Sequence, residues 1–273
     1  MNTVRFLMVQ GIFLFFLACG GDVNPASLFS IVTEDNRTTF KQNESVSVTL
    51  SNKKNKELQN ITYFIDGEPL DVVDDKITLD LPTLGNKVLK ARIHYEGDSV
   101  EVSKKIKVLA PAAPRIYTYE IINTYPHDIK AYTQGLEFHG DTLYESTGKK
   151  GTSWLRKTDF QTGRVLEQID LEDSFFGEGI TILGGKIYQL TWRSGMGFVY
   201  DLKTMEKLNN FQYGASREGW GLTHDGKRIF KSDGTEKIWF LDPETLTEQG
   251  YIETVTNKSI FNKANELEYV DGK

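Results

Sequence analysis

Residues that could do chemistry recur at one position of a repeated motif in the second half of the chain. The motif reads YTQGLEF, FGEGITI, EGWGLTH and finally NELEYVD. The position before Gly135, Gly179, Gly221 and Glu266 holds Gln134, Glu178, Trp220 and Asn265 in turn. A carboxylate can move protons, side-chain amides can stabilise a developing oxyanion, and large aromatic rings can exclude water. The pattern predicts a site with a few polar groups between apolar walls.

Other residues near these positions belong to the same predicted site. Tyr132 and Phe176 lie two residues upstream of Gln134 and Glu178, and Trp192 ends a predicted second strand. Structural alternatives stay open, because amides cap turns, a glutamate beside a glycine is often solvated, and aromatic rings often fill the core. No role is predicted for two acidic residues of the motif, Glu218 and Glu266.

The spacing of the copies predicts the elements that must position these side chains. Taking Gly135, Gly179, Gly221 and Glu266 as equivalent, the intervals are 44, 42 and 45 residues. Each of the first three copies reads as four antiparallel strands, with glycine at the first turn and an aspartate three residues before a threonine at the third. Such units of about 40–45 residues are typical of β-propeller blades. A Greek-key sandwich is the alternative, but it does not explain turns repeated at one offset. The turn residues are Gly140, Gly184–Gly185 and Asp225–Gly226, then Asp159 and Thr162, Asp201 and Thr204, and Asp242 and Thr245.

The N-terminus predicts export. Arg5 precedes an apolar run of 12 residues, Phe6–Leu17, which falls short of the ~20 residues that a membrane-spanning helix needs and suits a signal peptide over residues 1–19. Cys19 is the single cysteine, and Phe16-Leu-Ala-Cys-Gly resembles a bacterial lipobox. We expect a lipid anchor at Cys19 that holds the protein on a bacterial membrane, facing the periplasm or the outside. An ordinary signal-peptidase site or an inert cysteine stays open.

Residues 24–109 alternate apolar and polar positions, as in Leu89, Ala91, Ile93 and Tyr95, and give no helix signal. Roughly seven short strands turning every 8 to 12 residues favour an Ig-like β-sandwich without its disulfide. The Pro/Ala stretch at 110–115 predicts a linker, so the propeller is expected at 116–273. The 273 residues carry a net charge of −6 and no basic cluster, which argues against a nucleic-acid partner.

Five ordered motifs in residues 116–273 resemble the plant-type glutaminyl-peptide cyclotransferases, five-bladed β-propellers that also occur in bacteria. They are YTQGL, FGEGI, LTW, EGWGL and NELE. The resemblance implies three blades and the start of a fourth, in a chain truncated at its C-terminal end, whose remaining blades and further site lysine and tryptophan have no counterpart here. Tyr132 stands where the family is expected to have phenylalanine.

The resemblance also implies the activity, an acyltransferase reaction that converts the N-terminal glutamine of a peptide or protein to pyroglutamate and releases ammonia, without metal or cofactor. It assigns Glu178 as the proton shuttle and Gln134 and Asn265 as donors to the oxyanion. The pocket walls that bind substrate would be Tyr132, Phe176, Trp192 and Trp220.

Two other function classes stay open. A non-catalytic cell-surface propeller would bind a peptide or glycan and would not need a proton-shuttling carboxylate. A calcium-dependent propeller hydrolase or lactonase would lose activity with a chelator. The four histidines are scattered and neither a zinc-binding motif nor G-x-S-x-G occurs, so the sequence gives little support to a metal centre or a serine nucleophile.

Overall fold

Alternating apolar residues build nine strands in the first part of the chain. The computed structural model describes residues 24–273, so the predicted signal peptide and Cys19 lie outside the described residues. A four-stranded sheet has the order β1-β3-β7-β6 and a five-stranded sheet has the order β2-β9-β8-β4-β5. The strands are β1 (Phe29–Thr33), β2 (Thr39–Lys41), β3 (Ser45–Asn52), β4 (Leu58–Ile65), β5 (Glu68–Leu70), β6 (Val72–Val73), β7 (Lys76–Thr78), β8 (Gly85–Tyr95) and β9 (Asp98–Leu109).

One hydrophobic core joins these two sheets. Ile31, Val46 and Ile77 of the four-stranded sheet are buried in the same cluster as Ile93 and Val108 of the five-stranded sheet. In β8 the burial alternates strictly along the strand, as the period-two pattern predicts. Nine strands form where about seven were expected. β2, β5, β6 and β7 are only two or three residues long, which is too short to show an alternation in the sequence.

Three four-stranded antiparallel sheets follow, with strands in sequence order, which confirms the predicted all-β repeat. The first contains β10 (Thr133–His139), β11 (Thr142–Thr147), β12 (Trp154–Asp159) and β13 (Arg164–Asp170). The second contains β14 (Gly177–Leu183), β15 (Lys186–Thr191), β16 (Met196–Asp201) and β17 (Lys207–Gln212). The third contains β18 (Leu222–His224), β19 (Ile229–Ser232), β20 (Lys237–Leu241) and β21 (Glu248–Glu253).

The third turn of each sheet has the same chemistry. Asp159, Asp201 and Asp242 accept a hydrogen bond from the backbone N–H of the threonine three residues later, at 3.0, 2.8 and 2.8 Å. An aspartate that bonds the backbone ahead of it fixes a tight turn locally, so the sequence alone was enough to place these turns.

Glycines bring the first strands of successive sheets close together. A side chain at Gly135 would place its Cβ 2.6 Å from the backbone nitrogen of Ile180, and one at Gly179 would place it 2.5 Å from the carbonyl oxygen of Trp220. Gly179 N–H also donates to that carbonyl at 2.7 Å. The motif glycines are therefore required by the close approach of neighbouring backbones, and the strand starts that carry the candidate site residues converge.

Two stretches contain no strand, although a propeller was expected over residues 116–273. Residues 110–132 contain no strand, and Ile116, Ile122 and Ile129 are almost fully exposed. The fourth motif copy, residues 265–271, forms no strand either, although a side chain at Gly221 would collide with its backbone at Asn265. It lies where a first strand belongs, but among residues 24–273 no second strand pairs with it.

The N-terminal sheets contact the third repeat sheet. The Asn86 backbone N–H and side-chain amide both donate to Glu253 Oε2 at 2.8 Å, and Ala110 N–H donates to the Thr256 carbonyl at 3.2 Å. The Lys41 ammonium donates to the Asn257 carbonyl. Within residues 24–273 no helix has the length and apolar character needed to cross a bilayer.

Candidate active site

The first strands and their neighbours enclose a cavity of about 270 Å³. It lies where the three repeat sheets and the fourth motif copy meet, so residues far apart in the sequence share one space. The structure brings together all seven residues that the sequence singled out for catalysis or substrate binding. They are Tyr132, Gln134, Phe176, Glu178, Trp192, Trp220 and Asn265.

Bulges aim two of these side chains at the cavity. The pairing of β10 with β11 shifts register between Thr133 and Gly135, and that of β14 with β15 shifts between Gly177 and Ile180. Gln134 and Glu178 lie at these two irregularities. A bulge leaves an extra residue unpaired and redirects its side chain, and bulges are frequent beside active sites.

Glu178 is a buried carboxylate. Its side chain is only 5% exposed, and no hydrogen bond reaches its carboxylate from any residue between 24 and 273. Burial raises the pKa of Glu178 to about 8, and the nearby carboxylates of Glu266 and Glu218 add to the rise. Loss of hydration disfavours the charged form, so this group exchanges a proton near neutral pH, as a general acid or base must.

Glu218 orients both tryptophans of the cavity, a role that the sequence analysis missed. Its Oε2 accepts hydrogen bonds from the indole Nε1 of Trp192 and of Trp220, each at 2.9 Å, and its Oε1 pairs with Arg193 Nε at 2.9 Å. Although burial opposes it, these hydrogen bonds lower the pKa of Glu218, so the acceptor stays ionised.

A signal for Glu218 was present in the sequence. It lies two residues before Trp220, the register that places Tyr132 and Phe176 beside the cavity. The hydrogen bond from Trp192 could not be predicted from that register, because Trp192 belongs to the preceding repeat.

Aromatic rings form a continuous wall on one side of the cavity. The Phe176 ring centroid lies 6.2 Å from that of Tyr132 and 5.4 Å from that of Trp192. The ammonium of Lys149 lies 4.8 Å above the Tyr132 ring at the rim. The tyrosine keeps the edge-to-face contact that a phenylalanine would make at this position.

The two amides are placed differently. Gln134 Nε2 donates to the backbone carbonyl of Thr133 at 2.8 Å, which occupies one of its two N–H groups in a local contact and leaves the other for a ligand. Asn265 is exposed, and its main-chain carbonyl accepts a hydrogen bond from Ser232 Oγ at 2.6 Å. The sequence left open that Gln134 makes only a local structural contact. The side chain makes such a contact with Thr133 and also lines the cavity.

The histidines are not gathered around the cavity. His127 Nε2 lies 2.9 Å from the buried Glu145, which also accepts a hydrogen bond from Thr133 Oγ1 at 2.7 Å. Among residues 24–273, no group of three or more His, Cys, Asp and Glu side chains is placed to hold a metal ion.

Comparison with known proteins places this arrangement in a family. A family model described as "Glutamine cyclotransferase" matches residues 95–273, well over half of the chain. The chain belongs to the glutamine cyclotransferase family. The match begins at the end of β8, upstream of the expected propeller boundary at residue 116, so the family region includes β9 and the segment after it.

Two relatives carry related descriptions. The chain is 40% identical over 167 residues to the glutaminyl-peptide cyclotransferase of Arabidopsis thaliana. The aligned region covers 58% of this chain and 50% of that protein. It also resembles the crystal structure of Myxococcus xanthus glutaminyl cyclase, with a TM-score of 0.51, 30% identity, and 56% of this chain and 64% of that chain covered. The chain therefore spans about half the length of the curated relative, and its three repeat sheets have a propeller-like cyclotransferase fold.

Proposed function

We propose that the protein is a glutaminyl-peptide cyclotransferase that converts the N-terminal glutamine of peptides to pyroglutamate and releases ammonia. One observation carries the proposal: Glu178, buried and unpaired among the described residues, shares a single cavity with two carboxamides and four aromatic side chains. Membership in the glutamine cyclotransferase family and the description of both relatives support it.

Proton transfer is the first requirement of this reaction. The α-amino group of a peptide has a pKa of about 7.7–8.0 and must lose a proton before its nitrogen can attack. The pKa of Glu178, raised by burial to about 8, matches that of the amine, so the proton moves between them at little cost in free energy. A solvated glutamate would be too weak a base to compete for this proton.

Ring closure then needs charge stabilisation. The neutral amine attacks the side-chain amide carbon of the same glutamine, a bond forms between them, and the amide oxygen gains negative charge. The free N–H of Gln134 and the amide of Asn265 would donate to this oxygen. Glu178 returns its proton to the amide nitrogen, the carbon–nitrogen bond breaks as the oxyanion re-forms the carbonyl, and ammonia leaves. The ring nitrogen then gives up the extra proton it gained on attack to the Glu178 carboxylate.

The cavity suits a single glutaminyl residue. At about 270 Å³ it is slightly smaller than the pockets of about 300–1,000 Å³ that hold drug-sized ligands. Phe176, Trp192 and Trp220 would cover the reacting atoms and exclude water, which strengthens each polar contact. Glu218 fixes two of these rings through their indole N–H groups.

The setting of the reaction belongs to the same proposal. We propose an exported protein with a lipid anchor at Cys19, on which the N-terminal pair of sheets acts as an Ig-like spacer that holds the repeat sheets away from a bacterial membrane. The short apolar segment before Cys19 and the sandwich-like core of residues 29–108 support this. Mass spectrometry of the mature N-terminus should find a lipid-modified cysteine, and an unmodified residue at the mature N-terminus would refute the anchor.

The activity is tested by incubating the purified chain with a glutamine-initiated peptide and measuring ammonia. The matched control is the same peptide with an N-terminal glutamate, which has no amide nitrogen to release. We expect ammonia from the first peptide alone, with and without EDTA. No ammonia from several glutamine-initiated peptides would refute the proposal, and activity lost with EDTA would favour the calcium-dependent hydrolase.

A further inference from the structure

A second open space adjoins the candidate active site. It measures about 600 Å³ and is lined by residues of the third repeat sheet, of the segments on either side of it, and by Arg193 of the second repeat. Trp220 lines both spaces, and Glu218, which holds the indole N–H of Trp220, lines the larger one. The polar edge of the Trp220 ring therefore borders this space, which we call the basic groove after Arg217, Lys237 and Lys263.

The basic groove has an excess of unpaired positive charge. Arg217, Lys237 and Lys263 line it, and none of them forms an ion pair with a carboxylate of residues 24–273. Arg217 and Lys263 are exposed, while the ammonium of Lys237 lies 4.1 Å from the Tyr251 ring centroid. These side chains can therefore turn to a ligand without breaking an ion pair.

The carboxylates that line the basic groove are mostly engaged already. Glu218 binds two indoles and Arg193. Asp233 is buried and accepts hydrogen bonds from Trp239 Nε1 at 2.8 Å and from Thr235 Oγ1 at 2.6 Å. Glu236 is left without an ion pair among the described residues, so three cations face one available carboxylate.

A peptide substrate must leave the smaller cavity after its first residue. The reacting amine and side-chain amide both belong to the N-terminal glutamine, and the next residues follow from its carbonyl. The basic groove lies next to the cavity, with Trp220 lining both spaces, and has roughly twice its volume. An extended chain rises about 3.3 Å per residue, so the two residues after the glutamine would need a space of this kind.

We propose that the basic groove binds the residues that follow the N-terminal glutamine and favours substrates with acidic side chains at the second and third positions. This inference rests on the proposed function, since it assigns the glutaminyl residue to the smaller cavity. Charge of one sign in a groove attracts ligands of the other sign and raises their local concentration.

The test compares three peptides that differ in charge alone. Gln-Glu-Glu-amide, Gln-Ala-Ala-amide and Gln-Lys-Lys-amide have no terminal carboxylate to obscure the comparison. Exposed ion pairs change equilibria by about 0.2–1 kcal/mol each, so with two acidic side chains kcat/KM for the acidic peptide should exceed that for the neutral one by about two- to thirtyfold. The basic peptide should be the poorest, and salt at about 0.5 M should shrink the differences.

Charge reversal assigns the preference to the basic groove. In the double variant Arg217→Glu/Lys263→Glu the ratio of kcat/KM between acidic and basic peptides should fall at least about tenfold, because two cations become two anions. Lys227→Glu is the matched control, since Lys227 is an exposed lysine at a turn of the same sheet, outside the groove. It should keep the wild-type ratio.

Tryptophan fluorescence provides a readout that does not depend on turnover. Titration of the Glu178→Gln variant, which should turn over little peptide, gives a Kd for each peptide, because Trp220 lies between the two spaces. Ammonia release without any charge preference would overturn the proposed role of the basic groove and leave the proposed cyclotransferase function intact. A preference in Kd without ammonia release would support the basic groove and refute the proposed function. Equal Kd values for the three peptides, or a preference that is unchanged in Arg217→Glu/Lys263→Glu, would also overturn the proposed role of the basic groove.

Discussion

The N-terminal sheets and the three repeat sheets bury different kinds of side chains. Between β1 and β9 the buried residues are almost all apolar, with Thr33 and Lys87 as the polar or charged ones, and Lys87 pairs with Asp66 at 2.6 Å. The repeat sheets bury many more polar groups among the described residues. These are Glu145, Ser146, Thr147, Ser153, Arg156, Thr158, Glu178, Thr181, Gln189, Thr191, Ser216, Lys231, Ser232 and Asp233.

Most of these polar groups are paired, and the pairing separates structural from chemical roles. Gln189 donates to Ser146 Oγ at 2.8 Å and accepts from Tyr200 OH at 3.0 Å. Lys231 is buried with Ser216 and Glu248. Glu178 differs from the other buried charged side chains, because its carboxylate has no such partner between residues 24 and 273. A buried charge without a partner costs stability, so its presence points to a use in chemistry.

The largest expected effect separates Glu178 from the other buried carboxylates. Glu178→Gln removes the proton shuttle while keeping shape and volume, so kcat should fall by about 10²- to 10⁴-fold. Steady-state kinetics with a glutamine-initiated peptide measures this.

Glu137→Gln is the matched control. Burial also raises the pKa of Glu137, to about 7, but its carboxylate accepts a hydrogen bond from Ile182 N–H at 3.0 Å and lies outside the cavity. Most of the activity should remain in this variant. Equal losses in the two variants would show that any buried carboxylate here matters only for folding.

Next in size is the effect of truncating the two cores. Ile93 lies in the N-terminal core and Ile187 in the core of the repeat sheets, and both are 0% exposed. Replacement by alanine should cost about 2–5 kcal/mol in either region, from lost burial and the cavity that remains.

Fluorescence can separate the two regions, because all four tryptophans lie between residues 154 and 239. Ile187→Ala should shift the unfolding transition seen by tryptophan fluorescence, whereas Ile93→Ala should shift mainly the transition seen by circular dichroism. Equal shifts of the fluorescence transition would mean that the two regions unfold as one unit.

A smaller effect is expected from Glu218, which acts through the tryptophans. Glu218→Ala removes a charged acceptor from two indole N–H groups, and such bonds contribute about 1.5–3 kcal/mol each, so kcat/KM should fall by about tenfold to a hundredfold. Glu218→Gln keeps an acceptor oxygen and should lose less. A shift in tryptophan emission should accompany the loss in Glu218→Ala, and a loss of activity with unchanged emission would contradict positioning of the rings.

The last effect is a pH dependence of stability. The native pKa of Glu178 is about 8, above its ordinary value of 4.5, so the folded state holds this proton more tightly than the unfolded state. The resulting stabilisation is complete below about pH 4.5 and is lost as the pH rises through about 8.

Melting temperatures of the wild type and Glu178→Gln can isolate this contribution. The wild type should lose stability relative to the variant between about pH 5 and pH 9. Taking the difference cancels other groups, including Lys231, whose pKa burial lowers to about 8. A constant difference across this range would contradict the raised pKa of Glu178.

Local patterns were enough to predict most strands and turns. The four antiparallel strands expected in each of the first three copies form in all three repeat sheets. The Asp201 to Thr204 turn forms as expected. Period-two alternation and turn chemistry act within a few residues, so they can be read without the fold. Residues 116–132 formed no strand, because a strand needs a hydrogen-bonding partner that local pattern does not supply.

By itself, the sequence determined the repeat, the strands within it and the seven residues at its recurring positions, because a fixed period places equivalent residues at equivalent sites. The tertiary structure alone decided which side chains meet. It placed the buried side chain of Glu178 at a bulge beside the cavity, joined Trp192 of one repeat to Glu218 of the next, and engaged one N–H of Gln134 with Thr133. Burial, pKa and hydrogen-bond partners depend on contacts between distant segments, and those exist only once the sheets have come together.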